Sequence, residues 1–210
     1  MIDCDYVECG DCLGLMKQIH DNSIDLTVTS PPYDNLRKYN GFSFDFESIA
    51  NELYRVTKEG GVIVWIVADS TVKGSETGTS FKQALYFKSI GFNLYDTMIW
   101  QKPSPQAPTE GRYYDVFEYM FILSKGKPKT LNLLTDRKNK SAGNKSKKET
   151  RSCREDRKYK EGVRVVKEYG RRFNVWEISR GKIIQNIPQY FLTNWHTIIS
   201  LVGVMKMILY

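Results

Sequence analysis

Apolar runs of strand length alternate, over the first 124 residues, with stretches whose apolar residues recur every three or four positions. Residues 62–68 are rich in Val and Ile without a polar break, which is typical of a strand buried in a parallel sheet. Residues 24–29 form a second such run, and residues 46–56 and 80–90 have the helical period. The alternation predicts an α/β fold, with a parallel sheet flanked by helices.

Shorter elements complete this pattern. We expect a strand at residues 6–8, a helix carrying Leu13, Met16 and Ile19, and later strands at residues 92–100 and 116–123. Gly91 is the expected end signal of the third helix, because glycine readily adopts the backbone conformation found just beyond a helix.

Length and composition restrict the class of protein. A chain of 210 residues with 41% hydrophobic residues can bury the core of one domain, which excludes a disordered or fibrous protein. It has no run of about 18 uncharged apolar residues, and its acidic start does not resemble a secretory signal. We therefore expect a soluble cytoplasmic protein that does not enter membranes.

Four cysteines are spread unevenly along the chain: Cys4, Cys9, Cys12 and Cys153. No second close pair follows the first three, and the two histidines are remote, so neither a disulfide framework nor a zinc site is expected. We interpret them as reduced thiols and expect no metal.

Charge is concentrated in one segment. Residues 125–172 contain 18 Lys and Arg against 6 Asp and Glu, whereas the whole chain has a net charge of +7 and its remainder is therefore −5. This distribution indicates a polyanionic partner, most often nucleic acid, although a solvated basic loop is the alternative. Residues 138–158 hold so few apolar side chains that we expect a long loop, or an arm ordered by its partner.

The sharpest local motif is Ser30-Pro31-Pro32-Tyr33, at the end of the first predicted buried strand. Open α/β sheets form their sites at the carboxyl ends of strands, and consecutive prolines fix the backbone there. The Ser30 hydroxyl and the Pro31 carbonyl can accept the two hydrogens of an exocyclic amine, and Tyr33 offers a flat face for a base. A stiff loop or a proline-rich ligand is the alternative interpretation.

This motif resembles the catalytic motif of the amino-group DNA methyltransferases, which modify N4 of cytosine or N6 of adenine. The flanking segments are also similar to that family, so that the resemblance extends over residues 4–182: they are residues 10–13, 21–26, 54–61, 100–103, 117–119, 124–125 and 174–178. The resemblance implies a Rossmann-like methyltransferase sheet, S-adenosylmethionine as cofactor and double-stranded DNA as partner. It further implies a site-specific enzyme of a restriction-modification system or phage, with a cognate restriction endonuclease as an expected partner.

The implied reaction takes a base flipped out of the duplex, whose amine docks on Ser30 and Pro31 and attacks the methyl group of the cofactor. Serine at the first position favours N4 of cytosine over N6 of adenine in this family. Ser30, Pro31, Pro32 and Tyr33 are the expected catalytic residues. Asp11, Cys12 and Ser30 are the expected cofactor contacts, with a helix cap and a small buried side chain as the alternatives for Asp11 and Cys12.

The basic segment lies at the target-recognition position of the family. Its expected phosphate contacts are Lys138, Lys140, Lys145, Lys147, Lys148, Arg151, Arg154 and Arg157.

A few other residues have two interpretations each. Glu118 either lines the site or sits at an exposed edge, and Asp34 and Asn35 either meet the base or close a turn, which is favoured. We expect Lys102 and Arg112 to be phosphate contacts or surface charges rather than catalysts.

The end of the chain departs from the family. No glycine-rich cofactor loop of the Asp-Pro-Phe-x-Gly-Ser-Gly type follows the recognition region, and the tail from Ile183 fits the family poorly. A shifted reading frame beginning in the codon of Asn186 permits a family-like continuation. We therefore expect a catalytic region at residues 1–124, a recognition segment at 125–172, a return to the catalytic domain at 173–182 and an out-of-frame tail at 183–210.

These features predict a carboxyl-terminally truncated DNA methyltransferase whose sheet is incomplete and which is inactive or nearly so. Two other functions remain open: a non-enzymatic DNA-binding remnant, and a related methyltransferase that acts on RNA or protein.

Overall fold

The structure is a computed structural model that describes residues 6–32, 44–107, 111–147, 163–177, 198–202 and 206–209. The chain divides into two compact units. The first unit comprises Met1–Leu131 and Asn174–Tyr210, and the second comprises Asn132–Phe173.

The elements follow one another in this order along the chain: β1 (Tyr6–Cys9), α1 (Cys12–Met16), β2 (Ile24–Ser30), α2 (Phe46–Val56), β3 (Thr57–Val67), β4 (Thr71–Val72), β5 (Ser75–Glu76), α3 (Thr79–Ser89), β6 (Asn93–Gln106), β7 (Asp115–Ser124), β8 (Arg137–Lys138), β9 (Lys145–Lys147), β10 (Val163–Val165), β11 (Tyr169–Gly170), β12 (Val175–Glu177), β13 (Ile198–Val202) and β14 (Lys206–Leu209).

The first unit is built on one sheet, with the strand order β1-β14-β13-β2-β3-β7-β6-β12. Strands β13, β2 and β3 run parallel, and β12 is parallel to β6. Strand β7 is antiparallel to both of its neighbours, β3 and β6, and β14 is antiparallel to β1 and β13. The expectation of a parallel sheet is therefore corrected to a mixed one, while the α/β class is confirmed. A continuous apolar run fits a buried strand of either direction, so the sequence pattern did not separate the two.

All three described helices of this unit contribute to one apolar cluster on the same face of the sheet. Met16 of α1, Leu53 of α2 and Phe87 of α3 are fully buried there, against Ile63 and Trp65 of β3. The opposite face carries a smaller cluster around Leu26 and Val62. Because successive strand residues point to opposite faces, Val28 and Val64 belong to the second cluster, whereas Trp65 belongs to the first.

Helix boundaries follow local chemistry. Asp45 caps α2 by accepting hydrogen bonds from the Ser48 amide (3.2 Å) and hydroxyl (2.6 Å), and these bonds lower the pKa of the Asp45 carboxyl. At the other end, the Thr57 hydroxyl donates to the Leu53 carbonyl at 2.6 Å and β3 begins at once. Gly91 follows α3 with φ of 115°, which confirms it as the end signal.

The second unit is an irregular two-stranded ribbon. Strand β8 pairs antiparallel with β11, and β9 pairs antiparallel with β10. Between these pairs, the Asn139 amide donates to the Glu168 carbonyl and the Gly143 amide to the Val166 carbonyl. Of the two expectations for residues 138–158, a long loop and an arm ordered by its partner, the long loop is wrong for Lys138 and for residues 145–147, which belong to strands. Backbone pairing needs no apolar side chain, so a charged composition does not exclude it.

Strands β13 and β14 come from the tail that we expect to be out of frame, and their backbone pairing does not report on the reading frame.

Within the described ranges, no helix has the length and apolar character needed to cross a bilayer.

Candidate active site

The Ser30-Pro31-Pro32 turn leaves the sheet at the carboxyl end of β2. Thr29, the residue before it, lies opposite Trp65 of the parallel strand β3, so the turn sits beside the last residues of β3. Pro31 is buried and Pro32 is half-buried. The proline rings have no N–H, so the turn presents carbonyl oxygens without adjacent backbone donors. Tyr33, Asp34 and Asn35 lie outside the described residues, so their predicted roles stay predictions.

Asp69 follows β3 at the same edge of the sheet. Its carboxylate accepts hydrogen bonds from the Ser80 amide (2.9 Å), the Ser80 hydroxyl and the Thr77 hydroxyl (3.3 Å). These bonds fix the start of α3 to the end of β3. Sequence reasoning did not single out Asp69, although a polar residue directly after a buried strand was the available signal.

Lys102 is buried between two carboxylates, which overturns its interpretation as a phosphate contact or surface charge. Its ammonium lies 3.3 Å from Asp115 and 3.3 Å from Glu118, and only 4% of its side chain is exposed. Burying a lysine is favourable only when its charge is compensated, and the two carboxylates of β7 supply that compensation.

Glu118 lies at this edge too, with 12% of its side chain exposed. Its partner on the neighbouring strand β6 is Trp100. The next residue of β7, Tyr119, pairs with Val67, the last residue of β3. The two-residue period from Ile122, which belongs to the smaller cluster, places Glu118 on the same face as Ser30. Of the two interpretations of Glu118, the one that made it an exposed side chain is wrong, because it is largely buried.

An aromatic group borders the edge on the opposite, helix-covered face. Tyr119 packs edge-on against Phe81 and Phe117 and stacks on Phe121. Burial, together with the nearby Asp69 and Glu76 carboxylates, raises the pKa of the Tyr119 phenol. Tyr119 is therefore a neutral hydrogen-bonding group at physiological pH.

Asp11 and Cys12 lie at the start of α1. Asp11 is the helix cap, because its carboxylate accepts a hydrogen bond from the Gly14 amide at 2.8 Å. Cys12 is half-buried against the main cluster, and burial, reinforced by Asp11, raises the pKa of its thiol. A protonated thiol is a poor nucleophile, so Cys12 has no sign of a covalent role. Cofactor contact by either residue stays a prediction.

Arg112 makes contacts within the first unit. It forms an ion pair with Glu76 at 3.1 Å and donates to the Gly74 carbonyl at 2.7 Å. Of its two interpretations, these contacts agree with a surface charge. Among the residues that the structure covers, no group of three or more His, Cys, Asp or Glu side chains could hold a metal ion.

The predicted phosphate contacts lie in the second unit. Lys138, Lys140 and Lys145 are exposed there. Lys147 belongs to β9. Lys148, Arg151, Arg154 and Arg157 lie outside the described residues. Two arginines that sequence reasoning did not select, Arg137 and Arg172, make internal contacts: Arg137 lies over the Phe173 ring and Arg172 pairs with Asp136.

Comparison with known proteins gives a consistent result. A family profile of N6 and N4 methyltransferases, described as DNA methylase, matches residues 24–194. The chain is 59% identical over 169 residues to the orphan methyltransferase M.BamHII of Bacillus amyloliquefaciens, which is 80% of this chain and 64% of that protein. It is 31% identical over 150 residues to the Type II beta methyltransferase M.BslI of Bacillus sp. (strain NEB-606), covering 59% of this chain and 16% of that protein.

Among solved structures, the PvuII DNA methyltransferase (cytosine-N4-specific) is similar with a TM-score of 0.50 and 22% identity. The match covers 60% of this chain and 50% of that one, and it supports the α/β fold. The chain spans less than two thirds of the length of each of these proteins.

Proposed function

Because the chain belongs to the DNA methylase family of N6 and N4 amino-methyltransferases, we propose that it acts in the site-specific transfer of a methyl group to an exocyclic amine of double-stranded DNA. The methyl donor of this family is S-adenosylmethionine, and the proposal extends it to this chain. The observation that carries the proposal is the position of Ser30 as the last residue of β2, with Pro31 directly after it, beside the parallel strand β3.

The turn suits an amine chemically. The Ser30 hydroxyl and the Pro31 carbonyl are two acceptors on adjacent residues, and an exocyclic amine has two hydrogens to donate. Holding both hydrogens in the plane of these acceptors leaves the nitrogen lone pair directed away from them, where it can attack. The base has to leave the duplex to reach this turn, so the proposal includes base flipping. The serine supports N4 of cytosine ahead of N6 of adenine.

The fit of the methyl donor to this chain is incomplete. When bound, S-adenosylmethionine supplies an electrophilic methyl group. The 210 residues contain no glycine-rich loop of the Asp-Pro-Phe-x-Gly-Ser-Gly type that could hold its methionine end. The carboxylate of Asp11, a predicted contact, is engaged as the cap of α1. We therefore propose that the chain as printed transfers methyl groups very slowly or not at all.

The proposal assigns a task to each segment. Residues 1–124 and 173–182 provide the catalytic region, residues 125–172 recognise DNA, and residues 183–210 are an out-of-frame replacement of the family's continuation. The family profile extends to residue 194, into this tail. The site of action is the cytoplasm. A cognate restriction endonuclease stays a prediction, because the relatives include a Type II enzyme and one named as an orphan.

The test is methylation in cells that carry the gene with its reading frame restored. We expect nucleoside analysis of their DNA to show N4-methylcytosine, and the matched Ser30→Ala gene to show none. N6-methyladenine instead would correct the target base. Absence of both, with the chain still binding DNA in a salt-sensitive way, would favour the DNA-binding remnant.

The 210-residue chain is tested separately with labelled S-adenosylmethionine and mixed-sequence duplex DNA. We expect little or no label in the DNA. Transfer at rates normal for an enzyme would contradict the slow-transfer proposal, and sequencing the gene would show whether a cofactor loop follows in another frame.

A further inference from the structure

Two adjacent tyrosines of the first unit lie almost entirely in solvent. Tyr113 is 98% exposed and Tyr114 is 61% exposed. Of the large hydrophobic side chains that the structure describes, Tyr113 is the most exposed. Tyrosine is enriched where one molecule contacts another, because its ring supplies apolar area and its hydroxyl tolerates water. The position of this pair in the fold decides what the rings can contact.

The segment that carries the two tyrosines lies at the edge of the sheet where the Ser30-Pro31-Pro32 turn leaves. It connects β6 with β7. Strands β3 and β6 both run antiparallel to β7, so β6 has the same direction as β3, and β2 runs parallel to β3. The carboxyl ends of β2, β3 and β6 therefore meet at one edge, and the exposed rings are on the same side of the first unit as the turn.

The backbone on either side of the two tyrosines is anchored. Arg112, which precedes them, forms an ion pair with Glu76 at 3.1 Å and donates to the Gly74 carbonyl at 2.7 Å. Asp115, which follows them, lies 3.3 Å from the buried ammonium of Lys102. The two rings are therefore presented to solvent by a short segment that is held at both ends.

The charges of this segment are already paired. Residues 111–115 contain one cation, Arg112, and one carboxylate, Asp115, and each forms an ion pair within the first unit. Stacking of an aromatic ring is therefore the interaction that the segment offers to a nucleic acid, and it works with any base because every base has a flat face.

We propose that Tyr113 enters the base stack of duplex DNA and fills the gap that forms when a base leaves the helix. The inference rests on the proposed function, which requires a base to leave the duplex, and it assigns a side chain to that step. Unstacking a base costs free energy, and a ring that takes its place recovers part of the stacking. A ring on an anchored backbone loses little conformational freedom when it inserts.

The experiment uses the 210-residue chain and a duplex with a single abasic site, which supplies the gap without any need for the recognition sequence. A 2-aminopurine beside the gap reports insertion, because stacking of a ring on it quenches its fluorescence. We expect the chain to bind this duplex about tenfold more tightly than the intact duplex, which is the order expected for one base–aromatic stack, and to quench the 2-aminopurine.

Two variants test the ring itself. Tyr113→Ala should lose both the preference for the abasic duplex and the quenching, whereas Tyr113→Phe should keep both because it keeps the ring. Neither variant removes a charge, so the slope of log affinity against log salt should stay unchanged. Because Tyr113 is 98% exposed, both variants should also keep the stability of the first unit in urea unfolding.

The matched control is another exposed tyrosine of the first unit. Tyr95 is 47% exposed and lies near the start of β6, at the other end of that strand from the anchored segment. Tyr95→Ala should leave both the preference for the abasic duplex and the quenching unchanged.

Several results would overturn the inference while leaving DNA binding in place. They are equal affinity for the abasic and intact duplexes, quenching that persists in Tyr113→Ala, loss of quenching in Tyr113→Phe, and an effect of Tyr95→Ala equal to that of Tyr113→Ala. Failure of the unmodified chain to bind any duplex would instead contradict the proposed function itself.

Discussion

The two units of this chain are stabilised by different interactions. In the first, Trp65, Phe87, Met16 and Leu53 are buried between the helices and the sheet. In the second, the side chains of residues 132–145 and 165–173, whose burial the structure describes, contribute nothing to the buried apolar core. Backbone pairing, the Arg172–Asp136 ion pair and the Arg137–Phe173 contact hold that unit instead.

The two units also differ in net charge. Of the 31 Lys and Arg in the chain, 15 lie in residues 132–173 together with 6 of the 24 Asp and Glu, which leaves 16 against 18 elsewhere. Screening by salt weakens exposed ion pairs, whereas it does not act on uncharged apolar contacts. Apolar burial therefore stabilises the first unit, whereas the stability of the second unit depends more on charge and so on solution conditions.

The largest predicted change in the free energy of unfolding comes from truncating a buried phenylalanine, compared with an exposed one. Phe87→Ala should lower the free energy of unfolding of the first unit by about 3–5 kcal/mol, because it empties a fully buried position among Phe46, Trp65 and Phe92. Phe173→Ala should cost less than about 1 kcal/mol, since that ring is 64% exposed and lies under one cation.

Separate probes make this measurement possible. All four tryptophans lie outside residues 132–173, so urea unfolding followed by tryptophan fluorescence reports the first unit. Hydrogen exchange at the Arg172 amide reports the second. If Phe87→Ala and Phe173→Ala lowered stability equally, the two units would not differ in how they are stabilised.

A smaller change in the free energy of unfolding is expected when a buried ion pair is broken, compared with an exposed one. Lys102→Met should destabilise the first unit by about 3 kcal/mol, because it removes the cation beside the nearly buried Glu118 carboxylate. Arg172→Met should change the second unit by no more than about 1 kcal/mol, because both partners of its ion pair are substantially exposed.

The matched control is the double variant Lys102→Met with Glu118→Gln. It removes the cation and the nearly buried Glu118 carboxylate, so that only the half-exposed Asp115 carboxylate loses its partner, and it should recover most of the lost stability in urea unfolding. If the double variant were as unstable as Lys102→Met, the loss would come from packing of the lysine stem rather than from an uncompensated charge.

The smallest effect is a pH dependence confined to the second unit. The hydrogen bond from Arg172 lowers the pKa of Asp136, so the folded value lies below the unfolded value of about 3.9. The pair therefore stabilises the ribbon above about pH 4, and this contribution is lost as pH falls through the folded pKa. We expect faster exchange of the Arg172 amide, after correction for intrinsic pH effects, only below that pH. In Asp136→Asn this dependence should vanish, and its persistence would point to another group.

Much of the first unit was predictable because burial leaves a periodic pattern. Helix α2 was predicted at the residues it occupies. A buried strand within β3 and a turn after β2 at Ser30-Pro31-Pro32 were also predicted. These elements bury an apolar face, and proline and glycine mark their ends. Gly60 does not mark an end, because it lies inside β3 with φ of 81°.

The rest depended on pairing between distant residues. Lys102 resembles a surface lysine in sequence, and only the register of β6 against β7 brings it between Asp115 and Glu118. The ribbon was missed for a related reason, because its strands are defined by backbone pairing between residues 16 to 33 positions apart. Neither arrangement leaves a periodic signal along the chain.

The two ends of the ribbon are held together by the hydrogen bond between the Arg172 amide and the Leu134 carbonyl and by the Arg172–Asp136 pair. A segment closed at its base in this way can be lengthened, shortened or replaced without moving the strands on either side. Under the proposed function, exchange of this one insert during evolution changes the DNA sequence preference and leaves the sheet of the first unit intact. The same base marks the natural junctions for grafting a ribbon from another protein.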